Sequence, residues 1–174
     1  GDMTQVSKTD PRVAAYGAVD EANAAIGLAR AVAADDLANT LTRIQNDLFD
    51  VGADLCVPDP AATGGAPLSW EALRVQETQV SALEADIDAW NGRLEPLDSF
   101  VLPGGSELSA RLHAARAITR RAERDVIALV ETGAPVSVPV RLYLNRLSDL
   151  LFVLARIAND EGRSDVKWVP GGQR

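Results

Sequence analysis

The sequence predicts an all-α protein, an antiparallel bundle of five helices. Hydrophobic residues make up 47% of the 174 residues, whereas aromatic residues make up only 5%. Apolar side chains recur at steps of three and four through five long segments, and connections rich in glycine, proline or aspartate separate these segments. A chain of this length can bury one sizeable core. We therefore expect a single domain over residues 1–174.

Helix-start and helix-stop signals place the five segments. Pro11 suits a first helical turn, the pair Asn91-Gly92 suits an end, and Ser106 is a good N-cap. Between the second and third segments the chain lacks periodicity, which predicts an exposed loop over residues 57–68. The expected helices are residues 11–33, 37–54, 69–91, 107–131 and 137–161.

Apolar stripes on these helices define the expected core. The stripe of the second helix is Leu41, Ile44, Leu48, Val51 and Leu55, that of the third includes Leu73, Val80, Leu83 and Ile87, and that of the fifth is Val140, Leu144, Leu147, Leu151, Leu154 and Ile157. The fifth helix also carries a polar face of Asn145, Ser148, Asp149, Phe152 and Arg156. Because buried polar groups cost stability unless they are satisfied, we interpret this face as a surface, a subunit interface or a ligand wall.

Composition excludes several classes of function. A formal net charge of −8 argues against a nucleic-acid partner. The single cysteine, Cys56, cannot form a disulfide framework and is expected to be a small buried residue in a reducing compartment. No apolar run is long enough to span a bilayer and no signal peptide is visible, so we expect a cytoplasmic protein without a membrane partner. The single histidine, His113, rules out a ferritin-like di-iron site and is interpreted as structural.

A glycine-containing loop, residues 100–106, leads into a helix that concentrates arginine on an acidic chain. Arg116, Arg120 and Glu123 share one face of that helix at i, i+4 and i+7. Such residues often form a solvated, salt-bridged surface. The exposed-looking Phe100 directly upstream favours an anion-binding site instead, because planar guanidinium groups suit carboxylates and phosphates. Asp20 on the first helix is a candidate partner for an arginine, or else a solvated carboxylate.

Five blocks of sequence carry a resemblance to a known family. In order they are YGAVDEAN (16–23), IQNDLF (44–49), FVLPGG (100–105), RAITRRAER (116–124) and YLNRLSDLLF (143–152). With these blocks the chain resembles, over nearly its whole length, the PduO-type ATP:cob(I)alamin adenosyltransferases. Each block alone is weak, but five in the same order make a specific match.

The resemblance implies a homotrimer of five-helix bundles with active sites between subunits. In this family cob(I)alamin attacks C5′ of ATP, which forms adenosylcobalamin and releases triphosphate, with Mg²⁺ as a further cofactor. Because the corrinoid is itself the nucleophile, the protein supplies positioning and electrostatics rather than a catalytic serine or cysteine. A flavoprotein reductase and an adenosylcobalamin-dependent mutase are implied as partners.

The resemblance also implies roles for individual residues. Arg116 matches an arginine that pairs with the aspartate of the first helix, here Asp20, at the subunit interface. Arg120 matches an arginine on the ATP phosphates, and Phe100 matches an aromatic on the lower face of the corrin, where it keeps away an axial ligand and so eases reduction of cob(II)alamin. The other matches are the nucleotide-site residues Glu123 and Asn145, the site-supporting residues Arg121, Ser148 and Asp149, and Lys8.

Lys8 corresponds to a basic residue that follows a nucleotide loop of the Thr-Gly-Asp-x-Gly-x-Thr type. That loop normally precedes the position where this sequence starts. Either the loop orders only on ATP and was left out, which we favour, or the chain is a truncated form that would bind ATP poorly. A non-catalytic corrinoid-binding or delivery protein is the alternative, although delivery alone would not need Arg116, Arg120 and Asn145. A bundle with only an interaction role would leave the Phe100 loop unexplained.

Overall fold

The computed structural model describes residues 6–58 and 68–172, and five α-helices form a bundle in this part of the chain. α1 packs against α2 and α4, while α5 packs against α4, α3 and, less extensively, α2. The predicted all-α class with five helices is confirmed. The helices are α1 (Pro11–Arg30), α2 (Asp35–Cys56), α3 (Glu77–Asn91), α4 (Glu107–Glu131) and α5 (Val138–Ile157).

Capping residues explain where several helices begin. The Asp10 carboxylate accepts a hydrogen bond from the Arg12 amide at the start of α1, and the Ser106 hydroxyl accepts one from the Ser109 amide at the start of α4. At the start of α3, the side chains of Gln76 and Gln79 form a reciprocal capping box. α4 has the predicted bounds because its N-cap was visible in the sequence.

The start of α3 corrects the sequence analysis. We expected a helix from residue 69, but residues 68–76 are irregular and the helix begins at Glu77. The Val75 amide donates to Asp54 Oδ2 at 3.0 Å, and Arg74 Nη1 donates to the Val57 carbonyl at 2.5 Å. These contacts hold the segment extended against the end of α2. Leu73, which we placed on the apolar stripe of this helix, is therefore exposed.

The core lies between the helices and follows the predicted stripes of α2 and α5, all of whose members are buried. The fully buried Tyr143 donates its hydroxyl to Asp47 Oδ2 at 2.9 Å, and burial raises the pKa of this phenol well above its ordinary value. Cys56, which we expected to be buried, is exposed. It follows the core residue Leu55 by one position and therefore points about 100° away from the stripe.

The segment that follows α5 folds back over the loop that precedes α4. Val101 and Lys167 form an isolated antiparallel bridge. The Leu102 amide donates to the Val166 carbonyl and the Trp168 amide donates to the Phe100 carbonyl, both at 2.8 Å. The helix predicted to reach residue 161 ends at Ile157, and turns with Asp160 and Glu161 at positive φ redirect the chain.

Two further expectations, one about a loop and one about the membrane, can be compared with the described residues only. Most of the loop predicted between the second and third helices, residues 59–67, lies outside the described residues. None of the helices in the described ranges combines the length and the apolar character needed to cross a membrane.

Candidate active site

A cleft of about 460 Å³ lies where the loop before α4 meets α4 and α5. Its wall is formed by Leu97, Ser99, Phe100, Val101, Arg116 and Phe152. The cleft therefore brings together two of the predicted site residues, Phe100 and Arg116, and adds Phe152 from the polar face of α5. Its lining is mostly apolar and includes one arginine.

Phe100 is 76% exposed, so its ring is a surface feature of the loop and does not fill the core. The edge of one ring meets the face of the other between Phe100 and Trp168, with ring centroids 5.8 Å apart. The Asp98 carboxylate and the Lys167 ammonium form an ion pair beside them. An exposed phenyl ring held in a fixed orientation offers a flat apolar contact to a ligand in the cleft.

Arg116 is partly buried and lacks a counterion within the described chain. Its Nε is buried without a hydrogen-bond partner among the described residues. Burial lowers the pKa of the guanidinium group, and the positive charge of Arg120 lowers this pKa further. Because a desolvated cation is costly without an anion, Arg116 is a candidate to bind an anionic group from outside the described residues.

Three of the predicted nucleotide-site and supporting residues meet between α4 and α5. Asn145 Nδ2 donates to Glu123 Oε1 at 2.9 Å, and the buried Ser148 donates its hydroxyl to the Asn145 carbonyl at 2.9 Å. Arg120 is exposed one helical turn beyond Arg116 on α4. The exposed Asp149 accepts a hydrogen bond from Arg146 Nη1 at 3.2 Å.

The structure does not bring the predicted pair Asp20 and Arg116 together within one chain. Asp20 is exposed on α1, and no ion pair or hydrogen bond joins it to Arg116 among the described residues. Its neighbour Glu21 instead forms an ion pair with Arg121, which gives Arg121 a contact between α1 and α4. The Asp20–Arg116 contact stays a prediction about the assembled protein. Lys8 lies exposed in the turn before α1.

His113 lies behind the cleft. It is 2% exposed, neither ring nitrogen has a hydrogen-bond partner among the described residues, and its ring meets that of Phe152 edge-on at 6.1 Å. Burial lowers the pKa of the imidazole, the nearby Arg116 lowers it further, and Asp165 acts in the opposite direction. The ring is therefore neutral near pH 7, as the structural interpretation of this residue requires.

Sequence reasoning missed a buried polar cluster at the end of α5. We placed Arg156 on a continuous polar face, but Arg156 is almost fully buried and its Nε donates to Asp165 Oδ2 at 2.8 Å. Asp165 also accepts from Asn159 Nδ2 at 3.1 Å. Only the run of polar residues directly after α5 could have hinted at this cluster, because its partners lie in a distant loop.

No group of three or more His, Cys, Asp or Glu side chains among the described residues is arranged to hold a metal ion. The site as described is thus an apolar cleft with an unpartnered arginine beside a hydrogen-bonded pair, Glu123 and Asn145. Such a site fits a large, partly planar ligand together with an anionic one.

Comparison with known proteins agrees with these features. The family model described as cobalamin adenosyltransferase matches residues 1–158. A corrinoid adenosyltransferase of Mycobacterium tuberculosis is 51% identical over 176 residues, with 99% of this chain and 88% of the relative covered. The corrinoid adenosyltransferase PduO of Salmonella typhimurium is 44% identical over 158 residues, which covers 90% of this chain and 45% of that protein.

Solved structures agree as well. A phenylalanine-to-alanine variant of the PduO-type ATP:corrinoid adenosyltransferase from Lactobacillus reuteri, complexed with cobalamin and ATP, superposes with a TM-score of 0.80 at 36% identity over 94% of this chain and 88% of that chain. An arginine-to-lysine variant complexed with ATP gives 0.83 at 36% identity over 96% and 92%. The predicted resemblance is confirmed, and this chain belongs to the cobalamin adenosyltransferase family.

Proposed function

We propose that this protein transfers the 5′-deoxyadenosyl group of ATP to cob(I)alamin, which yields adenosylcobalamin and triphosphate. The observation that carries this proposal is the single cleft that combines the exposed Phe100 ring with the unpartnered Arg116. The relatives named as corrinoid adenosyltransferases, and the variants complexed with cobalamin and ATP, support the same assignment. A phenyl ring suits a corrin, while guanidinium groups suit phosphates.

The nucleotide side of the site is formed by α4 and α5. Arg120 binds the phosphates and stabilises the negative charge that grows on the departing triphosphate. A Mg²⁺ ion bound with ATP would supply further positive charge there. The hydrogen bond between Asn145 and Glu123 fixes both side chains, so they present one arrangement to the nucleotide. Ser148 supports Asn145 by binding its carbonyl, Asp149 binds Arg146, and Arg121 joins α4 to α1 through Glu21. Lys8 contributes a positive charge at the start of α1.

The corrinoid side of the site is formed by Phe100. Its ring occupies the space below the corrin and offers no lone pair to cobalt, so neither water nor the dimethylbenzimidazole tail can bind there. Without an axial donor cob(II)alamin is easier to reduce, and cob(I)alamin is the species that attacks C5′ of ATP.

The site is completed by a neighbouring subunit of a homotrimer. Asp20 is exposed and Arg116 lacks a counterion among the described residues, and a contact between two copies satisfies both. Exposed apolar side chains on several helices supply further area for such contacts, namely Leu28, Phe49, Ile127 and Leu142. The protein works in the cytoplasm, where a flavoprotein reductase supplies cob(I)alamin and a mutase receives adenosylcobalamin.

The test is conversion of cob(I)alamin and ATP, with measurement of both adenosylcobalamin and triphosphate. Arg120→Ala should lower the rate by about 10²-fold, because one donor to developing charge is lost. Arg111→Ala is the matched control. Arg111 lies on the same helix but binds Glu107 and the Leu28 carbonyl, so this variant should keep the parental rate.

Two results would contradict the proposal. Corrinoid binding without triphosphate release would indicate the delivery protein instead. A monomer in light scattering at micromolar concentration would show that no site between subunits forms.

A further inference from the structure

The loop that carries Phe100 is held by the side chain of Asn159, which lies in the turn after α5 and is 2% exposed. Asn159 Oδ1 accepts a hydrogen bond from the Ser106 amide at 2.9 Å, and its Nδ2 donates to the Gly104 carbonyl at 3.2 Å. One amide side chain thus binds two backbone groups of the loop. These groups lie on either side of Gly105.

Gly105 is shaped to this contact. Its φ is +100°, and a Cβ at this position would lie 2.2 to 2.6 Å from the side-chain atoms of Asn159. Only glycine combines this backbone conformation with so close an approach. The loop can therefore pack this closely against Asn159 only because Gly105 has no side chain.

Asn159 is fixed in turn by the buried ion pair between Arg156 and Asp165. Asp165 binds the Asn159 amide through Oδ1 and Arg156 through Oδ2. Arg156 Nη2 also donates to the Glu95 carbonyl at 3.0 Å. The cluster therefore contacts the connection before α4 at Glu95 as well as at Gly104 and Ser106.

The segment that follows the Asn159 turn also contacts the loop at Phe100. The Phe100 carbonyl accepts from the Trp168 amide, the Leu102 amide donates to the Val166 carbonyl, and Trp168 meets the phenyl ring. Because the segment that supplies these contacts continues from the Asn159 turn, a shift of that turn displaces the ring from the cleft.

We propose that Asn159 is a positioning residue for Phe100, which acts by binding Gly104 and Ser106 and so sets where the phenyl ring stands in the cleft. The proposal deepens the proposed function and rests on the role given there to Phe100. Asn159 itself lies behind the loop and binds no substrate.

The experiment compares Asn159→Ala with Asn23→Ala in the full chain. Asn23 is also a buried asparagine that donates to a backbone carbonyl, that of Gln45 at 3.1 Å, but it lies between α1 and α2. With ATP and cob(II)alamin bound, Asn159→Ala should reduce the four-coordinate cob(II)alamin signal about tenfold, since two hydrogen bonds that hold the loop are lost. ATP affinity should not change. Asn23→Ala should keep the parental spectrum.

Gly105→Ala approaches the same contact from the loop and covers the case in which Asn159→Ala fails to fold. It should weaken the four-coordinate signal in the same way. In the double variant the side chain that blocks the new methyl group is gone, so the two losses should add only in part; the strain of alanine at the positive φ of position 105 remains. Circular dichroism would establish that each variant is folded before its spectrum is compared.

Phe100→Ala separates this proposal from the one on which it rests. If Phe100→Ala abolishes the signal while folded Asn159→Ala and Gly105→Ala keep it, the positioning role of Asn159 is wrong and that of Phe100 stands. If Phe100→Ala leaves the spectrum unchanged, the role of Phe100 itself is wrong. Equal loss in Asn159→Ala and Asn23→Ala would indicate a general effect of lost stability and would also overturn the proposal.

Discussion

The buried Asp54 and the partly buried Arg116 lie near opposite ends of α5, but only Asp54 has its partners among the described residues. Asp54 is 6% exposed and accepts hydrogen bonds from Arg74 Nη1 at 2.9 Å, from the Val75 amide at 3.0 Å and from the Ser137 hydroxyl at 3.0 Å. Arg116 has a buried Nε with no hydrogen-bond partner in the described chain.

This difference distinguishes a charge that stabilises the fold from a charge that is available for binding. A buried charge that the chain itself satisfies fixes the ends of its own elements, as Asp54 does for the segment before α3. A partly buried charge without a partner among the described residues lowers stability, and it is available to a group that binds from outside. The comparison therefore predicts loss of stability at Asp54 and loss of activity at Arg116.

The largest expected effect is on stability, at Asp54. Asp54→Ala should lower the free energy of unfolding by about 3 kcal/mol, the low end for a broken buried pair because Arg74 keeps some access to water. Urea unfolding followed by circular dichroism measures this change. Asp88→Ala, at an exposed carboxylate of α3, is the control and should change stability by less than about 0.5 kcal/mol. Equal effects in the two variants would show that the contacts of Asp54 are not stabilising.

The next effect is on activity, at Arg116. Arg116→Ala should slow adenosylcobalamin formation by about 10²-fold, because the proposed site between subunits would lose its alignment, while stability to urea should not fall. Asp20→Ala should cost as much, and the double variant little more than either one, because coupled residues are not additive. Additive losses would indicate that the two side chains do not touch in the assembly.

The smallest expected effect concerns a titratable group, His113. Its two ring nitrogens have no hydrogen-bond partner among the described residues. Its folded pKa is lowered, chiefly by burial, so below its ordinary pKa of about 6.5 the unfolded chain takes up a proton that the folded chain refuses. Stability should therefore fall as pH drops from about 6.5 towards the lowered folded pKa. In His113→Phe, which keeps the aromatic contact to Phe152, this part of the decline should be missing. Urea midpoints at pH 7.5 and 5.5 for both proteins measure it, and parallel declines would contradict the assignment.

The sequence was sufficient for the parts of the molecule that local rules control. The apolar stripes of α2 and α5 were predicted because residues that recur with a 3.6-residue period share one face of a helix, and that face is the one buried. The start of α4 was predicted because Ser106 caps it. The start of α3 was not, because the Asp54 carboxylate binds Val75 from outside that segment. Long-range contacts of this kind leave no periodic signal.

The same limit applies to the candidate site. The contact between Asn145 and Glu123 joins two helices whose facing sides could be read from spacing, and the structure places them together. The cluster of Arg156, Asn159 and Asp165 could not be read in this way, because its partners in the loop lie more than fifty positions earlier. Family resemblance supplied the roles of single residues, whereas the structure supplied the contacts that hold the Phe100 loop.

The bridge between Val101 and Lys167 also has a consequence for the order of events during biosynthesis. The loop leaves the ribosome before α4 and α5, but the strand-like segment that pairs with it is made only after all five helices. Because contacts between positions distant in the sequence tend to form late in folding, we expect this bridge to close after the helices have packed. The end of the bundle that carries Phe100 is thus expected to become ordered last.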